Sequence, residues 1–396
     1  MGRSEASANH AIKYALIVAC TAYHIDKFAW GQIHILQKLG FEVHVAASFN
    51  LAFSGNSSAD YIKWCRENFT CHGVKVFELP FTRFPISLNN IKAFRLLKKQ
   101  LNIYPYSLLH CHTPTGGVVA RIGAARWRKA GMPVIYTAHG FHFFKGAPLI
   151  NWLLYFPIEW FLARITDYLI VINEEDDKIA RKMPVKSVIR MNGVGVSRRP
   201  YKKVVPMDKK TLGLFPDAFV FLCVGELSKR KNQGQLIRSF AVAIRKCTNA
   251  VLLLAGEGAM RLQYEQLTNA LGLTEKVFFL GWRDDIPKLV MMADVIVSSA
   301  KQEGLPVSLI EAIIAGKPII ASPCRGNREL AEQAGIVADG EKELSDAITL
   351  LYENSGLCAQ LGQSAKIISK QYEDVWVDAE AEKLYSALVE SESNIG

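Results

Sequence analysis

The sequence predicts an α/β protein built from two doubly wound, mostly parallel sheets, and three observations carry that prediction. The chain has 396 residues, too long for one ordinary core. Short apolar runs alternate with helix-length segments through both halves, which is the pattern of repeated βαβ units. Between the halves lies a basic stretch, Ser197 to Asp208, with Pro200, Pro206 and no periodicity, and it marks a break.

The first half opens on Tyr14 to Cys20 (YALIVAC), followed by a helix near Phe28 to Leu39 and the strand Phe41 to Ser48. Ser107–Thr113, Val134–His139 and Tyr168–Asn173 supply its later strands. The second half repeats the alternation at Val220–Leu227, Val251–Gly258, Val277–Trp282, Asp294–Ala300 and Lys317–Ser322. Apolar, branched runs of this length suit strands buried on both faces. Ligands of such sheets bind beyond the carboxyl ends of the strands, so the active site is expected in a cleft between the two domains.

Charge is unevenly placed. The net charge is +10. Residues 1–200 hold 25 Lys and Arg against 12 Asp and Glu, whereas the remainder hold 22 and 25. From Leu79 to Ile158 there is no acidic residue, against ten basic ones. That stretch contains a basic helix, Asn89 to Leu101, and a basic turn, Arg126 to Lys129, and ends in the aromatic run Phe141 to Phe161. Basic charge beside exposed aromatics fits an anionic membrane surface or a lipid-linked diphosphate. The alternative is a solvated basic face beside a buried helix. No recognised nucleic-acid-binding module is present, so nucleic acid is not an expected partner.

The eight cysteines are scattered, with no CxxC pair and no Cys/His cluster at zinc spacing, which predicts reduced thiols in a cytosolic protein. The polar start, Met1 to Lys13, is not a signal peptide, and no run approaches the ~20 apolar residues of a membrane span. The expectation is a cytoplasmic protein, peripheral at the inner face of the cell membrane.

The chemistry is concentrated in Ser298 to Leu330, SSAKQEGLPVSLIEAIIAGKPIIASPCRGNREL. Glu303 lies in the loop that leaves an apolar strand, and Glu311 about two turns into the helix that follows. Between them Gly304-Leu305-Pro306 makes a tight turn, with Pro306 in the first helical turn, where a missing N–H costs nothing. The N–H groups of Val307, Ser308 and Leu309 are then free for an anion such as a diphosphate. One carboxylate on each side of a phosphate site suits a nucleotide-sugar, which carries ribose at one end and a sugar at the other. Two solvated glutamates near a helix start are the bland alternative.

These residues stand in order with YTAHGFHF (Tyr136 to Phe143), MNGV (Met191 to Val194) and VGELSKRKN (Val224 to Asn232). Together they resemble the retaining glycosyltransferases of family 4, which have the GT-B fold of two Rossmann-like domains facing a central cleft. HCHTPTGG (His110 to Gly117) and CRGNREL (Cys324 to Leu330) are similar to the branch that makes bacterial capsular polysaccharide and exopolysaccharide. The likeness runs from about Tyr14 to about Tyr385. It implies an acceptor-binding domain at 1–200, a nucleotide-sugar-binding domain at 201–371, and a helix at 372–396 that returns towards the first domain. It implies retaining transfer of a hexose or N-acetylhexosamine from a nucleotide diphosphate, UDP, to a lipid-linked or growing surface glycan. No cofactor is implied. The chain has no DxD motif, since Asp176-Asp177 and Asp284-Asp285 are adjacent pairs, and metal-independent transfer is expected.

Residue by residue, the resemblance places Lys231 on the diphosphate. Glu226 stands where an arginine is usual, and Arg230 is the candidate for the second charge. Glu303 accepts from the hydroxyls of the transferred sugar and Glu311 from the ribose; a carboxylate holding a vicinal diol uses both oxygens. Trp282 and Arg283 sit where the family binds the base, and Gly304, Leu305, Pro306, Val307 and Ser308 complete the donor contacts. His139 falls near the donor sugar, so the catalytic set is His139, Glu303 and Lys231. His24, His110, His112 and Thr113 are acceptor-side candidates, and no residue is assigned to a metal. The implied mechanism is front-side attack, a donor phosphate oxygen taking the acceptor's proton, with support of the leaving diphosphate as the main term.

Three rivals remain. A GT-B nucleotide-sugar epimerase, which works without an acceptor, has no use for a basic, aromatic first half. A dinucleotide oxidoreductase needs a G-x-G-x-x-G turn after the first strand, and Cys20 to Phe28 (CTAYHIDKF) is not one. A non-catalytic membrane-binding module is opposed by Lys231, Glu303 and Glu311 standing together.

Overall fold

A computed structural model of the chain describes residues 12–49, 59–82 and 87–393. These fall into two compact units. One comprises the chain up to Val171, Asp176–Arg190 and the segment from Asp378 onward; the other comprises Ile172–Glu175 and Met191–Val377.

The first unit is built on seven parallel strands: β1 (Lys13–Thr21), β2 (Phe41–Ser48), β3 (Lys75–Glu78), β4 (Tyr106–His112), β5 (Val134–Ala138), β6 (Tyr168–Val171) and β7 (Ser187–Arg190). Their order is β3-β2-β1-β4-β5-β6-β7. The helices along this part of the chain are α1 (Ala22–Phe28), α2 (Trp30–Lys38), α3 (Ala59–Cys71), α4 (Leu88–Ile103), α5 (Pro114–Lys129), α6 (Leu149–Ala163) and α7 (Glu174–Ala180). Because β1 is central and covered on both faces, Ala15 to Ala19 have no exposed surface. The expected helix near Phe28 to Leu39 is α2, and a further short helix, α1, precedes it and ends at Phe28. α1 starts directly at the end of β1, so His24 is the third residue of a helix.

In the second unit β8 (Phe219–Val224), β9 (Ala250–Ala255), β10 (Val277–Gly281), β11 (Val295–Ser298), β12 (Ile319–Ala321) and β13 (Gly335–Val337) make a parallel sheet in the order β10-β9-β8-β11-β12-β13. Along it run α8 (Arg199–Lys202), α9 (Gln233–Ala243), α10 (Arg261–Ala270), α11 (Ile286–Met292), α12 (Val307–Ile314), α13 (Arg325–Ala334), α14 (Gly340–Glu353) and α15 (Ser355–Ile368). Two apolar clusters fill its core. Both sheets are of the doubly wound kind that the alternation predicted. In each, the strand order reverses at one place, between β1 and β4 and between β8 and β11, and loops leaving those strands are where such sheets take ligands.

The last helix, α16 (Asp374–Ser393), joins the first unit from Asp378 on. There the Tyr385 hydroxyl meets His110 Nδ1 at 2.7 Å and Lys38 Nζ lies 2.6 Å from Glu382 Oε1.

The basic segment takes a more regular form than expected. Arg126 to Lys129 is the last turn of α5, where cations are favourable to the helix dipole, and Arg128 forks onto both oxygens of Asp167 at 3.0 Å. The aromatic run does not expose its rings as a group. Phe141 and Phe143 are buried, and Trp152, Tyr155, Phe156 and Trp160 pack against the core. Buried Arg121, stacked 3.9 Å over the Tyr136 ring, pairs with Glu159 at 2.8 Å and turns that polar position of α6 inward. The outer face is therefore mainly aliphatic: Leu149 and Leu153 are 80% and 73% exposed, beside Ile150, Leu154, Ile158 and Phe161.

Candidate functional site

At the β8/β11 reversal, two loops are joined through their backbones. Gly225, after β8, has φ +150°, and a Cβ there would lie 3.1 Å from Lys231 Cε, so glycine both permits the turn and makes room for the lysine stem. The chain then runs to Asn232, a left-handed residue at the start of α9. Ser299, just beyond β11, donates its hydroxyl to the carbonyls of Lys231 and Asn232 at 3.2 and 3.0 Å, and the Lys301 N–H donates to the Arg230 carbonyl at 2.8 Å. Held in this way, Lys231 Nζ and Arg230 Nη1 each stand 2.8 Å from the same oxygen, Glu303 Oε1. Arg230 also donates to the Gln302 carbonyl at 3.0 Å. The side chain of Glu226 is exposed, and its backbone carbonyl accepts from Gln233 Nε2 at 2.9 Å.

The helix start departs from expectation in two details. Pro306 is the N-cap of α12 rather than a residue of its first turn, and its carbonyl accepts from both Leu309 and Ile310 N–H at 3.1 Å. Leu309 is therefore not free for an anion, which leaves Val307 and Ser308 with the unpaired first-turn donors. Glu311 is the fifth residue of α12, little more than one turn in. Burial raises its carboxyl to about 7, against a lowering pull from the Tyr201 phenol beside it.

Behind this loop, Arg325 Nε donates to the Glu303 carbonyl at 2.9 Å. A Cβ on Gly326 would collide with the carbonyl oxygen of Gly304, so the start of α13 can approach Gly304-Leu305 only without a side chain. Buried Asn327 donates to Ser298 Oγ at 3.0 Å and Ser322 Oγ at 2.8 Å. Leu305 and Pro306 are themselves buried and shape the loop by packing. After β10, Trp282 is 67% exposed, while Arg283 forks onto Asp285 at 2.6 and 2.8 Å and holds that carboxyl below its usual range.

In the first unit, the β1/β4 reversal gathers histidines. His24 Nε2 and His112 Nδ1 lie 3.0 and 3.1 Å from the same atom, His139 Nε2. Burial holds all these rings in the neutral form, His139 down to about 4 and His24 and His112 well below their usual value. Thr113 sits at φ 65°, uncommon for a β-branched residue, and its Oγ1 accepts the Cys20 N–H at 3.0 Å.

One assignment needs correction. His110 is fully buried, with Nδ1 on Tyr385 and Nε2 on Thr137 Oγ1, both at 2.7 Å. It has no ring nitrogen left for an acceptor, and its role is to tie β4 to α16 and β5. Among the described residues, His24, His112 and His139 form a group of ligating atoms within 4.8 Å of one another, close enough to hold a metal ion together. Linear spacing cannot reveal it, because the three come from α1, β4 and the residue after β5.

Sequence reasoning did not identify Ser299, Arg325 and Tyr201 as parts of the second-unit site. Ser299 and Arg325 act on backbone carbonyls, which leaves no side-chain pattern to find.

Comparison with known families, proteins and structures bears on this geometry. The family model for glycosyl transferases group 1 matches residues 205–367, and that for glycosyltransferase family 4 matches residues 30–198. The Bacillus subtilis protein EpsD, named as a glycosyltransferase, is 36% identical over 388 residues, 94% of either chain. An Escherichia coli UDP-Gal:α-D-GlcNAc-diphosphoundecaprenol α-1,3-galactosyltransferase is 32% identical over 252 residues, 61% of this chain and 63% of that one. Among solved structures, Anabaena HepE in complex with UDP and glucose superposes with a TM-score of 0.75 at 21% identity, covering 95% of this chain and all of that one.

Proposed function

The chain belongs to the family 4 glycosyltransferases, with their GT-B fold, and on that premise we propose that it moves a sugar from UDP to a lipid-linked saccharide. The sugar is a hexose or N-acetylhexosamine, transferred with retention, and the product is a bacterial capsular or exopolysaccharide precursor. The second unit takes the nucleotide-sugar and the first unit the acceptor.

The observation that carries this reading is the convergence of Lys231 and Arg230 on Glu303 Oε1 at the foot of α12. Two cations and the free N–H groups of Val307 and Ser308 suit a diphosphate, and no divalent ion is needed to balance its charge. Without donor, Glu303 neutralises the cations. With donor, they turn to the phosphates and leave Glu303 to accept from sugar hydroxyls. As the glycosidic bond breaks, the leaving diphosphate gains charge where these donors already stand. Glu311 accepts from the ribose, Trp282 offers an exposed ring to the base, and His139 contacts the transferred sugar. A donor phosphate oxygen takes the acceptor's proton.

UDP as the nucleotide and a diphosphate-linked lipid as the acceptor are supported by the galactosyltransferase relative, whose name states both. The aliphatic outer face of α6 and exposed Lys92, Arg95, Lys98 and Lys99 of α4 support docking at an anionic membrane, since α5 packs against both helices. An epimerase gains nothing from such a face.

The test is incubation with UDP-, GDP- and ADP-sugars in EDTA, with and without polyprenyl-diphosphate-linked saccharides. Elongation of the lipid by an α-linked sugar from a UDP donor is expected. Donor turnover that ignores the lipid, or strict dependence on Mg2+, contradicts the proposal.

A further inference from the structure

We infer that His24, His112 and His139 form a binding site for a divalent transition metal ion, Zn2+ in the first place. His24 Nε2 and His112 Nδ1 both face His139 Nε2, at 3.0 and 3.1 Å. Protons satisfy this arrangement poorly. A neutral imidazole nitrogen carries either one proton or one lone pair. If His139 Nε2 carries the proton, it can be well directed at one neighbour only. If it carries the lone pair, two N–H groups must share it.

A cation removes the conflict, because three lone pairs can then point at one centre. Bonds of about 2.0–2.1 Å in a tetrahedral site put ligand nitrogens roughly 3.3 Å apart, close to the two spacings to His139, with all three ligand atoms within 4.8 Å of one another. Three imidazoles and no carboxylate select Zn2+, Cu2+, Ni2+ or Co2+ over Mg2+ or Ca2+. His24 and His139 are partly exposed, which gives an ion a way in and leaves a fourth position for water or a hydroxyl. The ligands come from α1, the end of β4 and the residue after β5, so the ion would clamp three neighbouring strand ends of the first unit. The residues proposed for the diphosphate belong to the other unit, and His139, set above against the transferred sugar, can offer that sugar only its Nδ1 edge once an ion holds Nε2.

The test uses the full chain, stripped with EDTA and desalted. Co2+ is titrated and followed by its visible ligand-field bands, Zn2+ is measured by competition, and the unfolding midpoint is recorded with each. The expected result is one equivalent bound with a tetrahedral, nitrogen-type spectrum and a raised midpoint. Mg2+ should do neither. Intense near-ultraviolet thiolate bands would place the ion on cysteine and overturn the assignment. Buried His112→Ala should abolish the signal if it folds. Partly exposed His24→Asn keeps the test decisive, and should weaken binding by at least roughly the 10–100-fold that loss of an outer-sphere partner costs. Binding unchanged in His24→Asn, or no stoichiometric binding by the wild type, sinks the proposal.

Discussion

Lys231 Nζ and Glu303 Oε1 lie 2.8 Å apart, although the two residues come from loops that leave β8 and β11, strands on either side of the point where the second sheet reverses its order. On the proposed function, the pair sets a cation for the incoming diphosphate beside a carboxylate for its sugar.

Lys231→Ala should weaken UDP binding by about 1.5–3 kcal/mol, the range for a hydrogen bond to a charged group. Glu303→Gln should act differently. It frees Lys231 and Arg230 for phosphate, so affinity for UDP should hold or rise while the rate of sugar transfer falls. Calorimetry with UDP beside steady-state rates separates the two, and a parallel loss of UDP affinity in Glu303→Gln would refute the division of roles.

Gly326→Ala adds a methyl group against the carbonyl of Gly304. The loop or α13 must move, at a cost of about 1–3 kcal/mol in stability, and donor affinity should drop although no ligand contact is removed. Chemical denaturation beside UDP titration checks this. Wild-type stability and affinity together would mean that the contact does not hold the loop.

The carboxyl of Glu311 is raised from 4.5 to about 7 by burial. A raised acid contributes stability that is complete below its unfolded value and is lost as pH rises through its folded one. The wild type should therefore lose stability relative to Glu311→Gln between about pH 4.5 and 7. UDP affinity should run the opposite way. Ribose hydroxyls donate to the ionised carboxylate, so affinity should fall as pH drops below 7, and Glu311→Gln should flatten the profile. Calorimetry at pH 6 and 8 decides, and a flat wild-type profile goes against ribose binding by Glu311.

Much of this was legible in the sequence. β8, β9, β11 and β12 are continuous apolar runs because they are buried on both faces, and the residues after them could be located by counting. β3, β7 and β13 escaped notice because they are short, partly exposed edge strands of three or four residues without a periodic signature. The short helix α1 escaped as well, since its seven residues span only about two turns. His110 looked like an acceptor ligand until Tyr385, 275 positions away, took its Nδ1. Backbone-directed contacts from Ser299 and Arg325 leave no mark in residue spacing.

Neutralising Lys92, Arg95, Lys98 and Lys99 removes four exposed charges worth about 1 kcal/mol each near an anionic surface. Loss of binding to anionic vesicles is expected, with UDP affinity intact. Leu149→Ser with Leu153→Ser should release the protein in the same assay by removing apolar contact. Vesicle binding that survives both sets of changes would reduce α4 and α6 to solvated faces.

The most direct measurement of the central claim is a metal-free calorimetric titration of the wild type, Lys231→Ala and Glu311→Ala with UDP, GDP, ADP and NAD. The account predicts that the wild type binds UDP in preference to the others and that each substitution weakens that binding. No nucleoside diphosphate binding, or binding unaffected by both substitutions, would contradict the placement of the donor site.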